Sequence, residues 1–594
     1  MRVFLLDSGD DFRGSWTREH WDCVVDVGRA PKSFYIDRSA ELRCPVFSVF
    51  DFALELGDLQ AMRRLLEPGM GRVVDRFGID WWDVISLQLE PDLQQLQLAL
   101  RLAEKLKGCD TLVASRSSIA AEVLRIQFGT PLHFLQRGMR QRVVTDVLRR
   151  GVMAADLGFV QLRQVVYDKY DPRYEWRRKL AKSPPARSKW KSDSIVLLPT
   201  AYSNVTKTEL SYARILPEQK FLMVLARESG AVSPVPENVE KVRLASFAAK
   251  RFDAEELEKL EGAWKEMARS LQEDQVYKLA GKIGLFKKGL RWLRWGTTVR
   301  DAWLRVFETQ PVSACLSADD SNPYTRIPLL LAEQKGIAAV ACHHGALDFR
   351  MAFKNLRFST YLAKGEMELD YLKRICRVDA ERIRIGAPSS APTGKVSVWD
   401  HAAPWITFFA EPYESDLWRV EPIYREVLPR LCAAARKSGK IVVLKLHPFE
   451  SARQRSRLVR RTLGRDDQRL VKIIDAPLSG EILQKTWCGV TVESTVAFEC
   501  TLVGIPVFLC GWLRNAYSGY APQYSHFGVG RLLESPDDLL SIPDMLCATV
   551  PERDIARRLA EPISADRLSE ALGRPSIGPT FSRSEMFGSG EMSK

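Results

Sequence analysis

Short, wholly apolar runs alternate along this chain with longer stretches in which apolar residues recur every three or four positions, the pattern of strands alternating with helices. In the first 170 residues, 3–7, 23–27, 111–114 and 132–134 predict strands. Helical spacing over 92–107 stops at Gly108, and over 118–128 it stops at Gly129. A basic stretch containing Ser183-Pro184-Pro185 follows and predicts a linker over 173–193. A second series then begins, with strands expected at 195–198, 221–225, 242–245, 313–316, 338–342, 361–363 and 382–385. A third, after the loop 387–403, places strands at 405–409, 441–446, 471–474, 489–492 and 505–509. Strands that alternate with helices imply parallel sheets with right-handed crossovers. The expected organisation is an α/β unit over 1–172, the linker, a central α/β unit over 194–390 and a C-terminal one over 391–575. A flexible tail rich in Ser, Gly and Pro is expected at 576–594.

Residues 252–309 interrupt the second series. They start acidic, with Asp253, Glu255, Glu256 and Glu258, then turn basic and aromatic. Leu285, Phe286, Leu290, Trp292, Leu293, Trp295 and Trp303 interleave there with Lys287, Lys288, Arg291, Arg294, Arg300 and Arg305. The pattern fits an amphipathic helix lying on an anionic membrane. It fits better a pair of helices packed over the sheet, with Trp buried and charges solvated.

Composition narrows the partners. A chain of 594 residues with 46% hydrophobic and 27% charged content is an ordinary globular protein. Its formal charge of +13 favours something anionic: a membrane surface, a nucleotide, a polyanionic polymer or nucleic acid. No nucleic-acid recognition motif is present, so nucleic acid ranks last. The 11 Cys are odd in number and include no Cys-x-x-Cys, which argues against a disulfide framework or structural zinc. The opening Met1-Arg2-Val3-Phe4-Leu5-Leu6-Asp7 reads as a strand and not a signal peptide, and the uncharged run 500–513 is broken by Gly504 and Pro506. A cytoplasmic protein is expected, in the cell interior or peripheral at the inner face of the membrane.

Candidate chemistry sits at strand ends, where open α/β sheets bind ligands. Lys445-Leu446-His447-Pro448 closes one apolar run, and a cation and an imidazole two residues apart on one strand face suit a phosphate. Glu493-Ser494-Thr495 closes another and opens a helical stretch, whose cap and free N–H groups also favour an anion. Upstream, Cys342-His343-His344-Gly345 follows a strand and leads to Asp348. His343 and His344 are adjacent, which disfavours a shared metal ion. Asp319-Asp320-Ser321-Asn322-Pro323 places paired carboxylates after a strand, for general-base work or for turn and cap chemistry. Glu411 is a further cleft-facing candidate.

A His-Gly strand end in one α/β unit, followed by Lys-Leu-His-Pro and Ser-Thr strand ends in the next, resembles GT-B glycosyltransferases over residues 194–545. The nearest flavour is the bacterial surface-polysaccharide group: polysialyl- and Kdo-type capsule transferases and CDP-glycerol glycerophosphotransferases. The resemblance implies two Rossmann-like domains facing across a cleft, preceded by a smaller α/β domain. It implies that His447 contacts the donor phosphate, that Ser494 and Thr495 complete that site, and that His344 faces the reacting centre from the other domain. The expected activity is inverting, metal-independent transfer of a sugar from a nucleotide-activated donor to a polysaccharide or lipid-linked acceptor, with cytidine ahead of uridine. The donor is a co-substrate, and no cofactor is expected. His344, Asp348 and Asp320 are the catalytic candidates; Lys445, His447, Ser494 and Thr495 hold donor phosphate; Glu411 and Glu493 line the cleft. The acidic-acidic-Gly motif of polysialyltransferases is absent, since Ser321 follows Asp319-Asp320. A polyol-phosphate transferase, a UDP-sugar 2-epimerase and a non-catalytic scaffold on the same fold are the alternatives.

Overall fold

The computed structural model describes residues 1–7, 12, 14–52, 64–115, 118–129, 132–134, 194–247, 253–345, 347, 358, 360–388, 399–413, 417–448, 450–513, 520–552 and 554–573. The expected linker at 173–193 and tail at 576–594 lie outside them.

Three parallel sheets organise the described residues. The first holds β1 (Arg2–Leu6), β2 (Cys23–Asp26), β3 (Val46–Ser48), β4 (Thr111–Ala114) and β5 (Leu132–Phe134) in the order β3-β2-β1-β4-β5. The second holds β6 (Ile195–Thr200), β7 (Phe221–Leu225), β8 (Val239–Arg243), β9 (Val312–Ser317), β10 (Ala338–Ala341), β11 (Thr360–Ala363) and β12 (Ile383–Ile385), ordered β12-β11-β10-β9-β6-β7-β8. The third holds β13 (Trp405–Phe409), β14 (Ile441–Lys445), β15 (Val471–Ile474), β16 (Thr486–Thr491), β17 (Val507–Cys510) and β18 (Arg531–Leu533), ordered β15-β14-β13-β16-β17-β18. Each order reverses once, between β1 and β4, β6 and β9, and β13 and β16. Such reversals open crevices at the carboxyl ends of the strands.

The first two sheets share one apolar core, running from Val3 to Ile383. Its centre is the helix α1 (Trp81–Lys105), which Asp80 caps by accepting from the Trp82 N–H. The helix begins well before the expected residue 92. Its first turns are buried on all sides, so they carry no amphipathic period, and Pro91 inside the helix looks like a break in sequence. The interruption 252–309 forms α2 (Ala254–Leu271), α3 (Gln275–Lys282) and α4 (Leu285–Thr309), three helices and not two. They pack on α1, with Trp264 beside Trp82 at 5.9 Å between ring centres.

That packing accounts for most of the basic aromatic stretch. Trp295 and Trp303 are buried. Lys288 pairs with Asp92, Arg294 with Glu261, and Arg300 lies buried between Asp75 and Glu256, 2.8 Å from each. Among the described residues, no large apolar side chain of 285–305 is exposed, and Leu290 and Trp292 are half-buried. No helix among the described residues is long and apolar enough to cross a membrane.

Two further contacts tie the sheets together. The final helix, α5 (Ala565–Gly573), does not stay with the third sheet, as a unit ending at 575 implies. Leu568, Ala571 and Leu572 pack instead with Val196, Leu198 and Val340 on the central sheet, because that face would otherwise lie open to water. The third sheet also reaches the first: Arg419 makes a forked ion pair with the fully buried Asp26 and donates to the Asp7 carbonyl at 2.8 Å. Arg29 exchanges backbone hydrogen bonds with Leu417 and Arg419 and stacks on Trp418 at 4.6 Å.

Candidate active site

The His-His-Gly turn leaves β10 at the carboxyl edge of the central sheet, beside the end of β9. His344 is fixed there twice by Ala318, whose carbonyl accepts from the His344 N–H at 3.0 Å and faces its Nδ1 at 3.1 Å. A carbonyl has no proton to give, so Nδ1 carries the hydrogen, and in the neutral ring the lone pair lies on Nε2. The His343 ring stacks on His344 at 5.1 Å and 17°, beyond the strand, where alternation of side chains no longer applies.

Across from this turn stands the end of β16. A Cβ built on Gly345 would lie 3.4 Å from Thr495 Cγ2, so the two strand-end signatures meet. Lys364, after β11, braces the turn by donating to the Gly345 carbonyl and to Glu368, both at 2.7 Å.

The donor-side residues take more structural duty than their spacing suggests. Glu411 accepts from the N–H groups of Val492 and Glu493 and from the Thr491 hydroxyl, at 2.8–3.1 Å. It is therefore an anchor for the Glu493 turn, and the N–H groups it takes are closed to a phosphate. Ser494 accepts from the Val496 N–H at 3.3 Å, whereas Thr495 makes no capping bond and remains exposed. The helix that follows, Val496–Leu502, has 7 residues.

Lys445 is buried, and its ammonium turns back to the Leu446 carbonyl at 2.5 Å. Burial pushes its pKa down. Burial, and then the Lys445 charge, hold the His447 imidazole below its ordinary value, so the ring is neutral at pH 7. The expected cation and imidazole are thus a buried ammonium behind a neutral, half-buried ring. The loop owes its shape to Glu450, which spacing did not flag. Its carboxylate accepts from the His447 N–H at 3.0 Å and from the buried Arg455 at 2.8 Å.

Asp320 does not join this site. It is buried against Arg326, 3.6 Å from its guanidinium, and Arg326 forks onto Asp83 of α1. A carboxylate committed to a fully buried cation is not placed to take an acceptor's proton. Asp348 lies outside the described residues.

Glu209 is the carboxyl group that sequence reasoning missed. It is fully buried and accepts from the Ala318 N–H at 3.2 Å, directly behind the residue that orients His344. Burial raises its pKa well above the ordinary value of 4.5. The native state thus holds a proton that the unfolded chain releases above pH 4.5, and stability falls as pH rises from there toward the native pKa. Glu209→Gln keeps the acceptor oxygen without the charge. It is expected to melt with the parent near pH 4.5 and above it at pH 8. Glu209→Leu leaves the Ala318 N–H unsatisfied and should cost about 1–3 kcal/mol at both. Equal melting of parent and Gln variant across that range would show that Glu209 carries no such proton.

No protein-family model and no curated protein matches the chain. Among solved structures it is similar to CalG4, the calicheamicin glycosyltransferase, at 13% identity and a TM-score of 0.36, covering 64% of this chain and 94% of that one. It is also similar to the wall teichoic acid polymerase TagF, at 13% identity and a TM-score of 0.35 over 70% of this chain and 91% of that one. A third similar structure is S. aureus MnaA with UDP, at 11% identity and a TM-score of 0.37 over 64% of this chain and 93% of that one.

Proposed function

We propose that the chain is a GT-B-type glycosyltransferase that moves a sugar from a nucleotide-activated donor to a hydroxyl of a surface-polysaccharide or glycolipid acceptor, with inversion and without a metal. The observation that supports it is the meeting of the His344-Gly345 turn with Thr495, because this sets a base with a free Nε2 on one wall of a cleft opposite the donor-side turns. In the proposed step the acceptor oxygen bonds to the anomeric carbon as its proton passes to His344 Nε2. The bond from that carbon to the leaving phosphate oxygen breaks, and the oxygen keeps the electron pair. A neutral His447 donates one N–H to the charge that develops there, a stabilisation side chains supply without reorganisation. The imidazolium formed at His344 returns its proton to water.

Thermal shifts with cytidine and uridine diphosphates and monophosphates test the donor half. His447→Ala should weaken nucleotide binding or turnover by about a hundredfold while the protein stays folded. One observation favours a non-catalytic scaffold: Glu411 already satisfies two N–H groups that a nucleotide phosphate would use. The scaffold reading requires that no nucleotide shift the melting of the parent, and it falls if one does.

A further inference from the structure

Four of the organised guanidinium groups in this molecule face carboxylates: Arg300, Arg326, Arg419 and Arg455. Arg227 is organised by different means. It follows β7 at the carboxyl edge of the central sheet, lies over the Tyr202 ring at 4.9 Å, and donates from Nη1 to the Tyr202 hydroxyl at 2.8 Å. Asn322 donates to the same hydroxyl at 2.9 Å. Its amide orientation is set, because its oxygen accepts from the Tyr324 N–H at 3.0 Å and so turns the NH2 group to Tyr202.

Both lone pairs of the Tyr202 oxygen are thereby used as acceptors, and its own hydrogen is left to donate. Among the described residues Arg227 has no carboxylate within ion-pair distance, and its remaining N–H groups have no acceptor. Among the described residues, Tyr202 is one of the few large hydrophobic side chains left exposed. The three residues come from the ends of β6, β7 and β9, at the crevice between β6 and β9. Asn322 lies in the same turn as the Ala318 carbonyl that orients His344.

We propose that Tyr202, Arg227 and Asn322 form an anion subsite on the central side of the cleft, which takes a carboxylate or phosphate group carried by the acceptor. Two neutral side chains hold the fork rigid, so little ordering is needed when the anion arrives, and the fork matches the two oxygens of either group. Assignment of the anion to the acceptor rests on the transfer reading above; the anion site itself does not.

The test is equilibrium binding to the full chain, by ligand-observed NMR, of methyl β-D-glucuronide, glycerol 3-phosphate and the neutral methyl β-D-glucoside. At least one anionic probe should bind about tenfold or more tightly than the neutral one, the size expected of a charge-assisted hydrogen bond. Whichever probe shows the preference identifies the group as carboxylate or phosphate. Arg227→Gln should abolish the preference, Arg227→Lys should keep part of it, and Tyr202→Phe should reduce it. Equal binding of all three probes overturns the proposal. So does an anion preference that survives Arg227→Gln, since the anion then sits elsewhere. Binding of CMP and UMP is measured alongside. If neither binds the parent while the preference still depends on Arg227, the transfer reading falls and the anion site stands.

Discussion

His344→Ala is expected to lower turnover by about 10²- to 10⁴-fold, the range lost with a positioned general base, while leaving nucleotide binding intact. The expectation follows from how the ring is held. Its Nδ1 hydrogen is spent on the Ala318 carbonyl and its backbone N–H on the same oxygen, so one tautomer is selected and Nε2 is the only basic nitrogen. His344→Gln should not restore activity, because an amide cannot accept a full proton. Single-turnover kinetics separate this loss from weakened binding. A variant within a factor of a few of the parent would mean that another group takes the proton.

The second large effect is on stability. Arg419→Ala is expected to cost about 3–5 kcal/mol in urea unfolding, because it strands the Asp26 carboxylate in a site closed to water. Asp26 is fully buried, and Arg419 spans its two oxygens while also holding the Asp7 carbonyl. Replacing both partners, Arg419→Met with Asp26→Leu, should recover most of the loss, since a matched apolar pair leaves no buried charge behind. A single variant that loses less than about 1 kcal/mol would place the contact in water, where such pairs contribute little.

Strands that are continuous and apolar were legible from their residues alone. Those at 111–114, 221–225 and 405–409 begin and end where the apolar runs do. The strands missed are short and lie at sheet edges: Val46–Ser48 after a proline, and Arg531–Leu533, whose first residue is a solvent-facing cation. At β8 the mixed sequence Val239-Glu240-Lys241-Val242-Arg243 belongs to an edge strand half in water, and an apolar run was the wrong template for it.

Site residues divide along the same physical line. The His344 turn and Thr495 meet because strand ends of a parallel sheet converge on one edge, a convergence their positions in sequence already imply. Lys364 carried the same signal, a cation just past the apolar run of β11. Glu209 carried none: inside Thr206-Lys207-Thr208-Glu209-Leu210 it looks like a solvated helix residue, and only a contact 109 residues away in sequence gives it a role. Asp320 failed for the opposite reason. Paired carboxylates in a turn look available, and the arginine that consumes Asp320 stands on a neighbouring helix and answers to Asp83.

The shared core also has a bearing on synthesis. Trp81 and Trp82 of α1 are covered by helices made more than 150 residues later, so the first sheet leaves the ribosome with its largest apolar surface bare. The central sheet waits longer still, until Leu568, Ala571 and Leu572 arrive after the whole third sheet has been made. Contacts of such sequence separation form late, and surface exposed meanwhile is what chaperones bind. A nascent chain stalled near residue 560 is therefore expected to be held by chaperones and to be released once α5 has been made.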